Sequence, residues 1–507
     1  MTIRSRNRTF LEKRERDRVE RFLSQTNQNL HGSGKPNDAG SPMCRCSFPL
    51  AVLVGAVVVL SLSYSMLADP LATLGDRKLV VEEKVRAESS PFTSSPPERI
   101  PLDTQGHVRH RCLQSIRRQH ETLLHNYVAS AASILLVDPA YHSNVGDHMI
   151  TLGELSLITS TVDEDPARTI PPAVLSQCSY IQAGNYVPPC DEVIANVSVG
   201  ATTPVPRLAI WHGGGNWGTL WPRAQEPRIQ SFAPLLQAGY AIITMPNSWF
   251  YQDEASERAD IDKIRRSIAA GLNMNTTTAL SAQSDLSKRV IFTWREQYSY
   301  DKAVQNFPFV TNLLVPDIAF QLGPYPVPLS ETMLPDVDLL VLLRDDHEST
   351  LNAAVERNRL SFRKLLDSAD TKGSSDVTFS IVDWPDRLHR FRSDDIFFTD
   401  TAIQLLGLGR VVICDRLHAA ILAYLAGMPF VYVDPISGKI SKTLAVAMNS
   451  STECSEDTTW RRARNLTEAV TIATELLQQT AAVVPRPSRH DRRNRLRHQL
   501  QTKSQEK

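Results

Sequence analysis

The residue types best suited to handling a small anion stand where short apolar runs end. Asp415-Arg416-Leu417-His418 follows the β-branched run Val411–Cys414 and leads straight into AAILAYLAG, which reads as a helix. Arg416 and His418 are therefore expected at a helix N-terminus, where free N–H groups and the helix dipole favour negative charge. Arg416 offers a two-pronged donor for carboxylate or phosphate, and His418 can give or take a proton near neutral pH. Gly438-Lys439 follows the next apolar run and opens another helix. A lone histidine at such a place is more often structural; Arg416, His418 and Lys439 at neighbouring strand ends favour an anion site. Trp294-Arg295-Glu296 closes a further run, so Arg295 is either half of an internal ion pair or an anion clamp.

A glycine cluster, His212-Gly213-Gly214-Gly215-Asn216-Trp217-Gly218, follows the run ending at Trp211. Gly213, Gly215 and Gly218 satisfy G-x-G-x-x-G literally. As a dinucleotide fingerprint the match is weak, because the next strand ends in Pro246-Asn247-Ser248 rather than an acid. Three successive glycines instead offer backbone N–H groups to an anion, with His212 and Asn216 adding side-chain donors. Asn144-Val145-Gly146-Asp147 opens the first helix, and Asn144 and Asp147 are either its caps or ligand contacts. No H-E-x-x-H, paired C-x-x-C or G-x-S-x-G occurs, so neither a metal nor a resident cofactor is expected.

These residues need elements to hold them. Ser133–Val137, Leu208–Trp211, Tyr240–Met245 and Val290–Thr293 read as buried strands, with helices at Asp147–Ser160 and Ala255–Ala270. After a Pro-rich stretch the alternation restarts. Strands are expected at Val337–Leu343, Val377–Val382, Val411–Cys414 and Phe430–Val433, and helices at Ser349–Leu366, Thr401–Leu408, Leu417–Leu425 and Leu466–Gln478. Such alternation predicts an α/β protein of two Rossmann-like domains, 125–325 and 336–480, facing across a cleft.

The 507 residues carry 55 Lys+Arg against 55 Asp+Glu, a balance that argues against a nucleic-acid binder. Their distribution is uneven. A tail, 1–47, carries a basic excess, and 48–68 is uncharged and long enough to span about 30 Å of hydrocarbon. Positive-inside logic puts 1–47 in the cytoplasm and the rest across the membrane, a single-pass type II topology. A Ser/Pro-containing stem is expected over 69–124 and a basic tail over 484–507. Four N-x-S/T sequons, at Asn196, Asn275, Asn449 and Asn465, lie beyond the membrane helix. Seven cysteines, an odd and scattered set, make no evident framework; Cys178 and Cys190 are near enough to pair, but spacing alone does not show it.

In order along the chain, NVGD (144–147), HGGGNWG (212–218), MPNS (245–248), WRE (294–296), VPD (315–317), DRLH (415–418), GMPF (427–430) and GK (438–439) resemble the polysaccharide pyruvyl transferase family. The resemblance covers roughly 135–445 and includes fungal Golgi members that pyruvylate terminal galactose. It implies a GT-B-like fold and transfer of pyruvate from phosphoenolpyruvate to a hexose of a glycan acceptor, as a 4,6-ketal, with release of phosphate. It also implies a Golgi-membrane protein with a lumenal body. By the family's pattern Arg295, Arg416 and His418 would bind donor and catalyse, with the Leu417 backbone in the same site. His212 and Lys439 would be further contacts. His418 suits an acid/base role, and the arginines would neutralise donor charge.

One departure stands out. Family members often read PQSIHF after the third strand, whereas this chain has Pro246-Asn247-Ser248-Trp249-Phe250-Tyr251, with Phe250 in place of the histidine. Either His212 or His418 covers that step, or Trp249 and Phe250 stack on a sugar, or activity is reduced. A nucleotide-sugar glycosyltransferase and a silent glycan-binding protein stay open as alternatives.

Overall fold

The computed structural model describes residues 102–480 apart from 142–143, 164–173, 181–187, 201–205, 275–282, 326, 328–334, 345, 347, 352–358, 369–376 and 385–394. The expected cytoplasmic tail, the 48–68 membrane helix, the stem as far as residue 101 and the 484–507 tail lie outside the described residues. Within them, no helix is long and apolar enough to cross a membrane.

The chain begins with helix α1 (Leu102–Ala129), then strand β1 (Ser133–Val137), α2 (Val145–Asp163), β2 (Val174–Cys178), α3 (Cys190–Gly200), β3 (Arg207–Trp211) and a short β4 (Gly214–Gly218). It continues through α4 (Pro222–Gln237), β5 (Tyr240–Phe250), α5 (Glu254–Gly271), α6 (Gln283–Arg289), β6 (Val290–Trp294), α7 (Gln297–Asn306), β7 (Thr311–Leu314) and a 3-10 turn, Ile318–Leu322. A second series holds β8 (Val337–Leu342), α8 (Arg359–Ser368), β9 (Phe379–Val382), α9 (Asp395–Leu406), β10 (Gly409–Cys414) and α10 (Leu417–Leu425). It closes with β11 (Phe430–Val433), α11 (Lys439–Met448), β12 (Trp460–Ala463) and α12 (Leu466–Thr480). The helix expected from Ser349 starts only at Arg359 among the described residues; Ser349 and Thr350 are not helical.

Two sheets result. The first runs β2-β1-β3-β5-β6-β7, with β4 beside the far end of β5; the second runs β9-β8-β10-β11-β12. Every pairing is parallel. Apolar residues face both ways, as they must in a sheet covered on both sides. Leu339 and Val341 enter one core while Leu340 and Leu342 enter another, and Leu135 and Val137 part in the same way from Ile134 and Leu136. In each sheet the strand order reverses beside its first strand, between β1 and β3 and between β8 and β10. Ligands of open α/β sheets gather past the carboxyl ends at such points.

The stem expected as far as residue 124 is helical from Leu102. Val108, Cys112, Ile116, Leu124 and Val128 recur at helical spacing and are all buried, a stripe that needs a core to cover it. Helix α1 binds both halves of the body. Toward the second, Cys112 is bonded to Cys454, Arg109 Nε donates to Asp457 Oδ2 at 3.0 Å, and the guanidinium lies 5.2 Å from the centre of the Tyr424 ring. Toward the first, Leu124 and Val128 join the core beneath β1 and β3. Cys178 and Cys190 also form a disulfide.

The glycine cluster is built as a strand rather than a loop. Strand β5 outruns β3, and β4 pairs with the surplus, Gly214 opposite Asn247 and Gly218 opposite Phe250. Gly218 has φ of 124°, and a side chain there would overlap the Phe250 carbonyl, so only glycine fits. Trp249 is also committed. It is buried beside Trp217, Trp294 and Phe307, with Nε1 donating to Glu257 Oε1 at 3.0 Å, and so cannot stack on a sugar.

Candidate active site

The strand ends of the two sheets converge on one carboxylate. Arg295 follows β6, and its Nη1 donates to Asp317 Oδ2 at 2.6 Å while its Nε donates to Ser248 Oγ at 2.8 Å. His418, in the first turn of α10, places Nε2 3.5 Å from the same Asp317 oxygen. Asp317 and Arg295 are almost wholly buried and His418 keeps 12% of its side-chain surface. Burial alone would raise the Asp317 pKa, but the charges of Arg295 and His418 outweigh it and hold the carboxyl well below the usual range. The ring of His418 packs over Gly146 at the start of α2, where any side chain would overlap Nδ1 and Cγ. The glycine of NVGD is thus explained by a histidine from the other half.

The second sheet adds a charged network around its own switch point. Arg416, at the end of β10, is gripped by Asp383 through Nε and Nη2, both at 2.8 Å, and its Nη1 lies 3.8 Å from Asp346. Arg344, after β8, pairs with Asp346 and Glu348, and Lys439 donates to Glu348. Burial lowers the Lys439 pKa, and the nearby charges of Arg344 and Arg295 add to this, against the pull of Glu348. Burial likewise opposes ionisation of Glu348, but Lys439 and Arg344 outweigh it and hold its pKa below the ordinary value.

His212 is buried at the end of β3, with Nδ1 3.1 Å from Glu154 Oε2; Glu154 Oε1 accepts the Gly213 N–H at 3.0 Å. Burial disfavours the charged ring, yet the charge and hydrogen bond of Glu154 raise its pKa overall. Its Nε2 is buried without a partner. The expectation that the glycine amides lie open is corrected at Gly213, whose N–H is taken by Glu154. Gly214 and Gly215 line β4, and Gly215 lets Arg295 Nη2 approach to 3.5 Å of where its Cβ would stand. The backbone of Asn216 lies in the same strand. Asn144 caps α2, accepting from Gly146 N at 3.1 Å and donating to Asp147 Oδ2 at 2.9 Å. Leu417 is buried at the first position of α10.

Arg295 and His418 thus meet at Asp317, while Arg416 is held by Asp383 and Lys439 by Glu348, so each of the four faces a carboxylate that the strand ends alone did not assign. Asp317, within VPD, and Asp383, directly after the expected strand Val377–Val382, had a signal; Glu154, Asp346 and Glu348 had none beyond being acidic. No group of His, Cys, Asp and Glu able to hold a metal occurs among the described residues.

Asp415 is a separate case. Burial pushes its pKa from 3.8 up to about 6, against the Arg344 N–H, the charges of Arg344 and Arg416, and the Ser349 hydroxyl. The folded state therefore keeps a proton that the unfolded chain releases, so stability falls as pH rises between those values and stays reduced above them. Asp415→Asn preserves the acceptor for Arg344 N–H. It is expected to stabilise the protein at pH 8 by at most about 3 kcal/mol and to flatten the slope of Tm between pH 4 and 7. Thermal melts across that range check it.

Residues 187–437 match the model of the family described as Polysaccharide pyruvyl transferase. Pyruvyl transferase 1 of Schizosaccharomyces pombe is 28% identical over 329 residues, 62% of this chain and 69% of that protein. An uncharacterised protein of Klebsiella pneumoniae subsp. pneumoniae aligns over 65% of this chain and 93% of its own, at 16% identity and a TM-score of 0.35, too low to bear on the fold. The matched span runs from the start of α3 through β11 and so contains His212, Arg295, Asp317, Arg416 and His418. Residues 187–437 thus form a polysaccharide pyruvyl transferase domain, of a family named for moving a pyruvyl group onto a polysaccharide.

Proposed function

We propose that the donor is phosphoenolpyruvate and that the product is a 4,6-ketal on a hexose, with terminal galactose as the acceptor. The observation that carries this reading is the meeting of Arg295 and His418, from the two sheets, at Asp317, with Arg416 in the same DRLH segment and Lys439 in the charged network that also holds Arg416. Such a set suits a small donor bearing both carboxylate and phosphate. Arg295 Nη2 and Arg416 Nη1 are the terminal nitrogens with the fewest internal ties, and they would meet the two anionic groups. His418 in its charged form gives a proton to the donor methylene, which becomes the methyl group and leaves C2 electron-poor. The neutral ring then takes the proton of one sugar hydroxyl as its oxygen bonds to C2. The C2–O bond to phosphate breaks, the second hydroxyl closes the ketal, and its proton leaves with phosphate.

Phe250 is half-buried at the end of β5 and cannot transfer a proton, which leaves that work to His418. We further propose a single-pass type II Golgi protein with the body in the lumen. The uncharged 48–68 segment supports this, as do two disulfides, which persist in oxidising compartments.

The test is to incubate the full chain, purified in mild detergent, with phosphoenolpyruvate and a panel of β-galactosides. Phosphate release with a matching ketal mass on the sugar is expected. Consumption of a nucleotide sugar instead, with phosphoenolpyruvate untouched, would overturn the donor assignment.

A further inference from the structure

Asp317 is more tightly specified than any group that strand-end reading picked out. Its Oδ2 is shared by Arg295 Nη1 at 2.6 Å and His418 Nε2 at 3.5 Å, and its Oδ1 accepts the N–H of Ala319 at 2.9 Å. Both oxygens are therefore committed, and the carboxylate cannot swing. The backbone before it is held as well: His120, buried in α1, places Nε2 3.0 Å from the Pro316 carbonyl and Nδ1 3.1 Å from Gln321 Oε1. Three separate parts of the fold thus fix one anion: β6 through Arg295, the 3-10 turn through Ala319, and α1 through His120.

The His418 ring is held between that anion and helix α2. Nε2 is buried and faces Asp317, whereas Nδ1 lies over Gly146 in the first turn of α2. At 3.5 Å the Nε2 contact is longer than a good hydrogen bond, as is common before substrate tightens a site. An anion opposite one ring nitrogen keeps the proton there and leaves the lone pair on the other.

We infer that Asp317 is a positioning residue for pyruvyl transfer: it holds the His418 ring through Nε2, so that Nδ1 is the nitrogen that exchanges protons with donor and acceptor. This inference rests on the functional reading above. It adds an atom-level assignment, and it makes Asp317 the link between the arginine of the first sheet and the histidine of the second half. The anion also stabilises the imidazolium that forms each time Nδ1 takes a proton. Its own pKa, held low by Arg295 and His418 against burial, keeps it ionised throughout.

Kinetics on the full chain test the coupling, using Asp317→Asn, His418→Gln and the double variant, with phosphoenolpyruvate binding followed by calorimetry. Asp317→Asn should lower kcat by about 100-fold or more in the native background, yet by less than about threefold in the His418→Gln background. An equal loss in both backgrounds marks a merely structural role and overturns the inference, as does a native kcat in Asp317→Asn. Should Asp317→Asn fail to fold, the unsubstituted protein labelled with 15N-histidine decides. The resonance missing from His418→Gln must show a proton on Nε2 and none on Nδ1 in the neutral ring, and the opposite tautomer overturns the assignment. A protein that neither binds phosphoenolpyruvate nor transfers pyruvate would refute the functional reading, while the tautomer measurement would still judge the positioning of His418.

Discussion

His418→Ala is expected to lower kcat by about 100- to 10,000-fold with little change in donor affinity, the loss typical of a missing acid/base group. The site predicts a different outcome for Arg416. Its guanidinium is held on one edge by Asp383, so Arg416→Lys keeps a charge but loses the planar fork that Asp383 grips. Donor KM should rise steeply in Arg416→Lys while melting temperature changes little. Arg416→Ala should also abolish turnover, but it leaves the buried Asp383 carboxylate without that grip and costs stability as well. Initial rates against phosphoenolpyruvate, together with thermal melts, separate the two effects. Wild-type rates in both His418→Ala and Arg416→Ala would sink the site assignment.

Gly146→Ala should be nearly as damaging, for a reason that has nothing to do with backbone freedom. Alanine suits a helical first turn better than glycine, by up to about 1 kcal/mol. The added methyl, however, would overlap Nδ1 and Cγ of His418 and force the ring away. Displacing a catalytic group by about 1 Å can cost on the order of 100-fold in rate, so a loss of that size is expected in kcat. Gly215→Ala is the control, because its Cβ would stand 3.5 Å from Arg295 Nη2, an ordinary contact. A Gly146→Ala protein with native turnover would show that the His418 ring is not held where the reaction needs it.

Zero net charge also takes a sharper meaning from these contacts. The lysine and arginines of the cleft do not form a bare cationic surface. Asp317, Asp346, Glu348 and Asp383 pre-arrange them, each carboxylate occupying part of its partner's donor capacity. A donor anion that binds there must compete with fixed acids, and this favours a ligand with more than one charged group over a single carboxylate.

Much of the scaffold was legible because parallel strands buried on both faces are apolar runs, and the chain turns polar where each one ends. Arg295, Arg416, His418 and Lys439 stand at those ends, as read. Helix α1 was missed because its buried stripe begins directly after a Ser/Pro-rich segment and its long polar faces mask the periodicity. Stacking of Trp249 on a sugar, one of three readings that the sequence leaves open, falls away only with the surplus length of β5 and the β4 strand that pairs with it, which exist once the glycines are seen to extend.

The sequence by itself determined the two α/β series, the residue types at their carboxyl ends and the polysaccharide pyruvyl transferase domain over residues 187–437. Only the tertiary structure decided which ends meet. Burial selects positions along a strand by local pattern, whereas the pairing of Asp317 with both Arg295 and His418 depends on how two separate sheets pack. That packing leaves no mark at the residues themselves beyond a small glycine, Gly146, where the histidine ring must fit.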